Sequence, residues 1–369
     1  MKKYPCLQID LKGLASNSRV EVDLFAKHKI HVMGVNKVFC GMREPAQAMI
    51  DGKIDTVAES RVENLKLLGP IKAKKCLLRA PGPSEVEAAV AVADIILLPD
   101  GDLLSRIADA AKNQNRRIEI MPMVDMGDLR EGIWFEDESA IAEMVSSIVA
   151  SSNLSLYGLG TNFNCFGAIK PTQENGDHFV RIARSIERTL RVQFQYLSGG
   201  NCTSYHLLKK GIWPEGINQI RSGGLHQYGI DFVDFEYVSG FIHSSKNIQC
   251  VSSPLFVLSA EVNEISKKPT APVGEPGLDA FLKPKQFADR GVKRRAILAM
   301  GRQDVPSDGM WPCDSALQVL GQSSDHTIVE TESSLRSYQV GDLIDFELDY
   351  VSLLFACNSP SVRKVFVSS

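Results

Sequence analysis

The stretch Gly34–Gly41, written GVNKVFCG, places one lysine at the end of an apolar segment that begins at His31. In a barrel of parallel strands, the carboxyl ends of the strands form the face at which chemistry takes place. Lys37 lies at such an end, so it is a candidate for a chemical role. The alternative interpretation is a lysine whose stem packs on apolar surface while its ammonium group pairs with a carboxylate.

Short β-rich segments alternate with helical patterns over the first two-thirds of the chain, as expected for successive βα units. In residues 137–150, apolar side chains recur at helical spacing. Residues 14–29 would form the helix before the first barrel strand. Eight strands, each next to a helix, predict a (β/α)8 barrel of the TIM type. The predicted strands are residues 31–39, 55–59, 75–80, 95–98, 118–125, 154–161, 193–198 and 218–222.

After residue 235 the pattern changes to alternating segments separated by turn-rich pieces, which predicts a second, mostly β domain. The predicted domains are the barrel over residues 1–235 and the C-terminal β domain over residues 236–369. The predicted strands of the second domain are residues 255–265, 296–300, 316–320, 327–330, 343–348 and 362–367.

The composition argues against several classes of protein. The chain has 369 residues, 44% of them hydrophobic, and a formal net charge of -3 with both signs mixed along its length. This balance predicts no binding to nucleic acid. The most apolar stretch, residues 88–99, contains Asp94 and is shorter than the ~18 residues of a membrane span. No apolar signal segment follows Lys2 and Lys3, so we expect a soluble, cytoplasmic protein.

The cysteines are spread over the chain without a CxxC pair. This spacing predicts neither a zinc site nor a disulfide framework, and we expect most of the thiols to be reduced and buried. The eight are Cys6, Cys40, Cys76, Cys165, Cys202, Cys250, Cys313 and Cys357.

A buried lysine has a pKa lowered by desolvation, and the neutral amine can form a Schiff base. Pyridoxal phosphate is the cofactor that uses such a lysine, and its phosphate needs a cradle. Two glycine-rich segments follow the last two predicted strands: residues 198–204 (SGGNCTS) and 222–224 (SGG). Backbone N–H groups in such turns bind anions, and barrels commonly bind phosphate at this place.

Together these features resemble the alanine racemase family of pyridoxal-phosphate enzymes, fold type III, and within it the ornithine racemase branch. The resemblance implies a racemase, a pyridoxal-phosphate-dependent isomerase that removes and returns the α-proton of ornithine or another basic amino acid. The segments that carry it are GVNKVFCG, AESRVENL (58–65), VDMGDLREGI (124–133), GLGTNFNCFG (158–167), SGGNCTSYHLL (198–208), APVGEPGLDAF (271–281), ADRGVKRRAILAMGRQDV (288–305) and LGQSSDH (320–326).

The resemblance also implies roles for single residues. Lys37 would be the Schiff-base lysine, and Arg221 would face the pyridine nitrogen and leave it unprotonated, because an arginine keeps its proton. Arg130 would lie near the cofactor phenolate oxygen and the substrate carboxylate, and Tyr350 would reach the phosphate. The residues implied to hold the phosphate are Asn201, Thr203, Ser204, Gly223 and Gly224, with Cys202, Thr203 or Ser204 as the source of the side-chain contact.

Each of these roles has a structural alternative. Arg221 would be a strand-end arginine that pairs with Glu215 or Asp231. Arg130 would form a loop salt bridge with Asp128 or Glu131. Tyr350 would be a core aromatic residue of a strand.

Racemisation needs two acid–base groups, one on each face of the planar intermediate. In the family, a tyrosine of the partner subunit serves the face opposite the lysine, which implies a homodimer with shared active sites. The matching stretch here, residues 271–277, contains no tyrosine. The candidates in its place are Asp279, which we prefer because it lies in a Gly/Pro-rich loop, then Asp325, with Asp304 and Ser323. Turn capping is the alternative for each aspartate.

Two other functions stay open. The first is a pyridoxal-phosphate-dependent decarboxylase or lyase on the same fold, since one base is enough for those reactions. The second is a non-catalytic pyridoxal-phosphate-binding protein. Because such proteins consist of the barrel alone, the residues after 235 argue against it.

Overall fold

The computed structural model describes residues 4–243 and 254–368, so Cys250 lies outside the described residues. The described chain forms two compact units, one over residues 12–242 and one formed from residues up to 11 and from 243 onward. The predicted boundary after residue 235 stays a prediction. No helix among the described residues is long and apolar enough to cross a membrane.

The first unit contains the βα units that the sequence pattern predicts. The first strand of the chain, β1 (Cys6–Asp10), belongs to the other unit. The strands of the first unit are β2 (His31–Val35), β3 (Thr56–Glu59), β4 (Lys74–Leu77), β5 (Ile95–Leu98), β6 (Ile118–Asp125), β7 (Ile133–Trp134), β8 (Leu154–Leu156), β9 (Gly158–Thr161), β10 (Tyr196–Asn201), β11 (Gln219–Ser222), β12 (Ile230–Asp231) and β13 (Glu236–Tyr237). The helices are α1 (Leu11–Ala26), α2 (Arg43–Asp51), α3 (Val62–Leu67), α4 (Val86–Val92), α5 (Leu104–Asn113), α6 (Glu138–Ala150), α7 (Gln173–Leu190), α8 (Tyr205–Lys209) and α9 (Gly224–Tyr228).

Parallel pairing closes these strands into a barrel, which confirms the predicted (β/α)8 fold. The order runs β2, β3, β4, β5, β6, β9, β10 and β11, and β11 pairs with β2. The predicted strand over residues 154–161 is split, and both β8 and β9 pair with β6. Alternate residues of each strand point inward or outward. Methionines fill much of the interior, at Met33, Met121 and Met123, so this barrel is a packed core.

The outer face of the barrel is covered by helices. Phe179 and Ile182 of α7, together with Ile141 of α6, pack on outward-facing residues such as Leu159 of β9. Helix α6 begins one residue after Asp137, because the Asp137 side chain accepts the Ala140 N–H and caps the helix. This packing fixes the strand ends, on which the candidate site is built.

The second unit is a mostly antiparallel sheet, as predicted. It contains β14 (Phe256–Pro269), β15 (Val292–Leu298), β16 (Met310–Pro312), β17 (Gln318–Gln322), β18 (Thr327–Glu330), β19 (Leu343–Leu348), β20 (Arg363–Val367) and the helix α10 (Tyr350–Asn358). The path of the sheet is β16-β19-β14-β15-β18-β17. The N-terminal strand β1 also belongs to this sheet, since it pairs antiparallel with β14 and parallel with β20.

Three local predictions that concern candidate site residues are wrong. The predicted strand 31–39 ends at Val35, and Lys37–Phe39 form a 3-10 helix. The strand predicted to end at residue 198 continues to Asn201, so the glycines of SGG lie in β10. Tyr350 begins α10 instead of lying in a strand, because the Asp349 side chain accepts the Ser352 N–H and caps a helix there.

Candidate active site

The carboxyl ends of β2 and β11 bring the predicted cofactor residues together. In the register of this pair, Arg221 lies opposite Met33 and Ser222 lies opposite Gly34. Lys37 follows β2 at the start of the 3-10 helix, and Gly223 follows β11 directly. Gln227 of α9 donates from Nε2 to the Val35 carbonyl at 3.3 Å, which connects the two segments. Lys37, Arg221 and the Gly-Gly turn therefore lie at adjacent strand ends.

The segment around Lys37 is held by a buried glutamate that was not predicted as a site residue. Glu59, at the end of β3, accepts from Asn36 Nδ2 at 2.8 Å and from the Gly41 N–H at 2.9 Å through the same oxygen. Asn64 Nδ2 donates to its other oxygen at 3.2 Å. Burial raises the pKa of Glu59, and these hydrogen bonds oppose that rise. Glu59 thus fixes both ends of the loop that carries the half-buried Lys37.

We expect Glu59→Ala to lower the free energy of unfolding by about 2–3 kcal/mol, because it leaves the buried donors of Asn36 and Gly41 unpaired. Turnover should also fall, since the loop that carries Lys37 loses its support. Urea unfolding followed by circular dichroism measures the first effect. Glu63→Ala, on the next helix, is the control. Equal stability of the Glu59 and Glu63 variants would contradict this role.

Arg221 is a buried arginine of the barrel interior, with 5% of its surface exposed. It donates from Nη1 to Ser198 Oγ at 2.6 Å and from Nη2 to the Thr161 carbonyl at 2.6 Å. Burial lowers the pKa of Arg221 to about 10, so the guanidinium stays charged at neutral pH. Asp231, one partner considered in the alternative interpretation, pairs with His206 and Lys209. Arg221 therefore presents a fixed positive charge held by β9 and β10.

The polar side chains at the end of β10 bond to one another and to nearby backbone groups. Asn201 Oδ1 accepts from the Thr203 N–H at 2.9 Å and from Thr203 Oγ1 at 2.8 Å. Ser204 Oγ donates to the Gly199 carbonyl at 2.7 Å. Their hydroxyl protons are thus engaged in shaping the turn, and backbone N–H groups are the donors that this turn offers to an anion.

Cys202 is the side chain of this segment that faces the Gly-Gly turn. Burial raises the pKa of its thiol to about 11, while the backbone N–H groups of Gly224 and Gly223 oppose the rise because they favour the thiolate. A Cβ at Gly224 would lie 3.0 Å from this sulfur and 2.5 Å from the Phe232 ring. Only glycine fits there. Sequence reasoning left Cys202 as one of three alternatives, because spacing does not show which residue lies against the glycines.

These strand ends fit a phosphate-bearing cofactor. Two buried hydroxyls, Ser222 Oγ and Thr161 Oγ1, have no hydrogen-bond partner within the described residues. A buried polar atom without a partner is unfavourable unless a ligand or water satisfies it. Together with the glycines that a larger residue would block, and with the cation of Arg221, they provide donors and positive charge for an anionic group.

Arg130 lies in the loop after β6, and the structure shows the salt bridge that the alternative interpretation predicts. Its Nε and Nη2 donate to the two carboxylate oxygens of Glu131. Its Nη1 donates to the Cys165 sulfur at 2.9 Å. Asp128, the other proposed partner, instead accepts from the N–H groups of Cys165 and Phe166. The positive charge of Arg130 also acts to lower the pKa of Arg221, after the larger effect of burial.

The remaining predicted site residues belong to the second unit. Asp279 accepts from the N–H groups of Phe281 at 2.8 Å and Lys283 at 3.0 Å, and Lys285 pairs with its other oxygen at 3.5 Å. These contacts lower the pKa of Asp279. Asp325 is exposed and accepts from Gln303 Nε2 at 2.8 Å. Tyr350 is half-buried at the start of α10.

Two polar clusters lie away from these strand ends. A cavity of about 610 Å³ opens at the amino ends of β4 and β6, where Lys74 already pairs with Glu119 at 2.5 Å. His206, Asp231 and Asp234 lie within 4.8 Å of one another, but the ammonium group of Lys209 contacts both carboxylates. Both clusters are satisfied within the protein, so neither is our candidate site.

Comparisons with known proteins agree with the fold. The model of the alanine racemase N-terminal domain matches residues 9–229. The lysine racemase of Thermotoga maritima is 35% identical over 369 residues, which cover 99% of both chains. The ornithine racemase of Acetoanaerobium sticklandii is 35% identical over 361 residues, covering 98% of this chain and 99% of the relative.

Solved structures show the same fold at much lower identity. The alanine racemase from the D-cycloserine producer Streptomyces lavendulae matches with a TM-score of 0.75 at 16% identity, covering 100% of this chain and 98% of that chain. The family match spans the whole barrel, and the two curated relatives span both units. The chain therefore belongs to the alanine racemase family of amino-acid racemases.

Proposed function

We propose that this protein is a pyridoxal-phosphate-dependent racemase of basic amino acids, with ornithine or lysine as substrate. One observation carries the proposal: Lys37, Arg221 and the Gly223–Gly224 turn lie at neighbouring carboxyl ends of β2 and β11. The names of the two full-length relatives, a lysine racemase and an ornithine racemase, support a substrate with a distal ammonium group. A cytoplasmic homodimer is part of the same proposal.

The residues that would hold the cofactor follow from the donor set. Lys37 would bind it covalently through Nζ, and Arg221 would face the pyridine nitrogen. The N–H groups of Gly223 and Gly224, next to Asn201 and the turn at Cys202–Ser204, would bind the phosphate. When bound, pyridoxal phosphate withdraws electrons from the substrate α-carbon and makes its proton acidic.

The protein itself would move that proton. Lys37 Nζ would remove or return it on one face, and Arg130 would bind the substrate carboxylate. A second group must serve the other face. The contacts of the two candidates favour Asp325 over Asp279, because both oxygens of Asp279 are engaged and its lowered pKa makes it a poor proton acceptor. In a homodimer, this group would come from the partner subunit.

We expect Asp325→Asn to lower racemisation by about a hundredfold or more, the usual contribution of a general acid–base group. Exchange of the α-proton on the lysine face should continue, so substrate recovered from heavy water should gain deuterium faster than it changes configuration. Chiral chromatography and mass spectrometry measure the two rates. Asp279→Asn is the comparison and should affect mainly the stability of its turn. If Asp279→Asn shows the larger loss, Asp279 is the second base.

The proposed function is tested with purified protein, pyridoxal phosphate and a panel of L-amino acids in heavy water. A racemase yields α-deuterium in both enantiomers, with ornithine or lysine as the fastest substrate. Release of CO2 without the D-enantiomer would show a decarboxylase instead. Cofactor binding without turnover of any amino acid would show a non-catalytic carrier.

A further inference from the structure

Arg130, which is proposed to bind the substrate carboxylate, forms an ion pair with Glu131. Glu131 contacts the Arg130 guanidinium through both carboxylate oxygens. The pair is half-buried, with 38% of the Arg130 side chain and 28% of the Glu131 side chain exposed. Glu131 also acts on Arg221: after burial, its charge is the largest influence on the pKa of that arginine. Glu131 therefore pairs with Arg130, and its negative charge also acts on Arg221.

We infer that Glu131 binds the distal ammonium group of a diamino-acid substrate, and so determines the preference for basic amino acids. The inference rests on the proposed function, in which Arg130 binds the substrate α-carboxylate. In the structure, the Glu131 carboxylate already accepts the hydrogen bonds of the Arg130 guanidinium that the substrate carboxylate would need. Binding of substrate must therefore separate Arg130 from Glu131.

Charge balance then selects the substrate. An amino acid without a distal ammonium group would bind Arg130 through its carboxylate. The half-buried Glu131 carboxylate would then have no cation beside it, which is unfavourable. A diamino acid supplies its carboxylate to Arg130 and its ammonium group to Glu131. One ion pair is replaced by two, and neither protein charge is left unpaired. Hydrogen bonds to charged groups are strong enough to make the difference in binding free energy between the two kinds of amino acid large.

The loop is built so that its backbone stays in place while the two side chains separate. Asp125 Oδ1 accepts from the N–H groups of Gly127 and Leu129 at 2.9 and 3.2 Å. Asp128 is buried and accepts from two N–H groups of the loop after β9. The long side chains of Arg130 and Glu131 can then adopt other rotamers without movement of the backbone.

The test compares ornithine with norvaline, which has the same carbon chain without the distal ammonium group. In Glu131→Gln, the ratio of kcat/KM for ornithine to kcat/KM for norvaline should fall about tenfold to a hundredfold relative to wild type. The kcat/KM for norvaline itself should not fall. Glu136→Gln, five residues further along the chain and after β7, is the matched control and should leave the ratio unchanged.

If Glu131 only orients Arg130, both substrates will lose the same factor in Glu131→Gln, and an unchanged ratio overturns the inference. Calorimetric binding of ornithine and norvaline to the holoprotein gives a second measure that needs no turnover. A wild-type protein that racemises no amino acid would refute the proposed function. In that case, an ornithine preference in binding that Glu131→Gln removes would still support the inference, and an unaffected preference would overturn it.

Discussion

Racemisation by the Lys37→Ala variant is expected to fall by about a thousandfold or more. Lys37 is proposed both to hold the cofactor and to move the proton on one face, and no neighbouring residue in the loop 36–41 carries another amine. Chiral chromatography of ornithine and lysine turnover measures the loss. The fold should persist, because Lys37 is half-buried at a strand end while the hydrogen bonds of the loop run through Asn36, Gly41 and Glu59.

The covalent role is tested separately from turnover. After reduction with borohydride, mass spectrometry of wild-type peptides should find the cofactor-derived mass on the peptide that contains Lys37, and the variant should carry none. Lys53→Ala, which removes a surface lysine paired with Asp23, is the control and should keep both label and activity. A label on any other lysine of the wild-type protein would contradict the assignment.

Much of the fold follows from local sequence pattern. The strands Ile95–Leu98, Ile118–Asp125, Thr327–Glu330 and Leu343–Leu348 begin and end at the predicted residues. These segments are rich in β-branched or aromatic residues and are bounded by turn-forming residues, so the local signal agrees with the tertiary structure. The alternation of strands and helices was likewise enough to predict the barrel.

The errors occur where long-range contacts decide the structure. The apolar run through Lys37 has the composition of a strand, but pairing with β3 ends at Asn36, whose N–H donates to the Ala58 carbonyl. The strand β1 precedes the barrel in sequence, yet its hydrogen-bond partners are β14 and β20, more than 240 residues away in sequence. No local pattern encodes a partner at that distance.

The candidate site was predictable only where its residues follow local sequence pattern. Residues at strand ends, such as Arg221 and Gly224, could be placed because parallel strands end at one face. The role of Glu59 could not be predicted, since it depends on hydrogen bonds to Asn36 and Gly41, which follow the neighbouring strand β2. Glu131 was considered only as an alternative partner of Arg130. Its influence on the pKa of Arg221 depends on the three-dimensional arrangement of the two residues, which no local pattern encodes.

The second large effect is expected at Arg221. Arg221→Gln removes the buried cation that bonds to Ser198 and the Thr161 carbonyl. In the proposed function this guanidinium keeps the pyridine nitrogen of the cofactor unprotonated. We expect racemisation to fall about a hundredfold to a thousandfold, as when a preorganised donor is removed from an active site. The share of turnovers that release a keto acid and leave the amino group on the cofactor should rise, because the ring nitrogen would no longer be held unprotonated.

Arg221→Lys is the matched variant, since it keeps the positive charge but lacks two separated donors. It should also be slow, yet its share of keto acid should stay near that of wild type. A coupled dehydrogenase assay measures the keto acid, and urea unfolding measures stability. If Arg221 only joins β9, β10 and β11, both variants will lose stability and turnover in parallel. An equal keto-acid share in all three proteins would then contradict its role at the ring nitrogen.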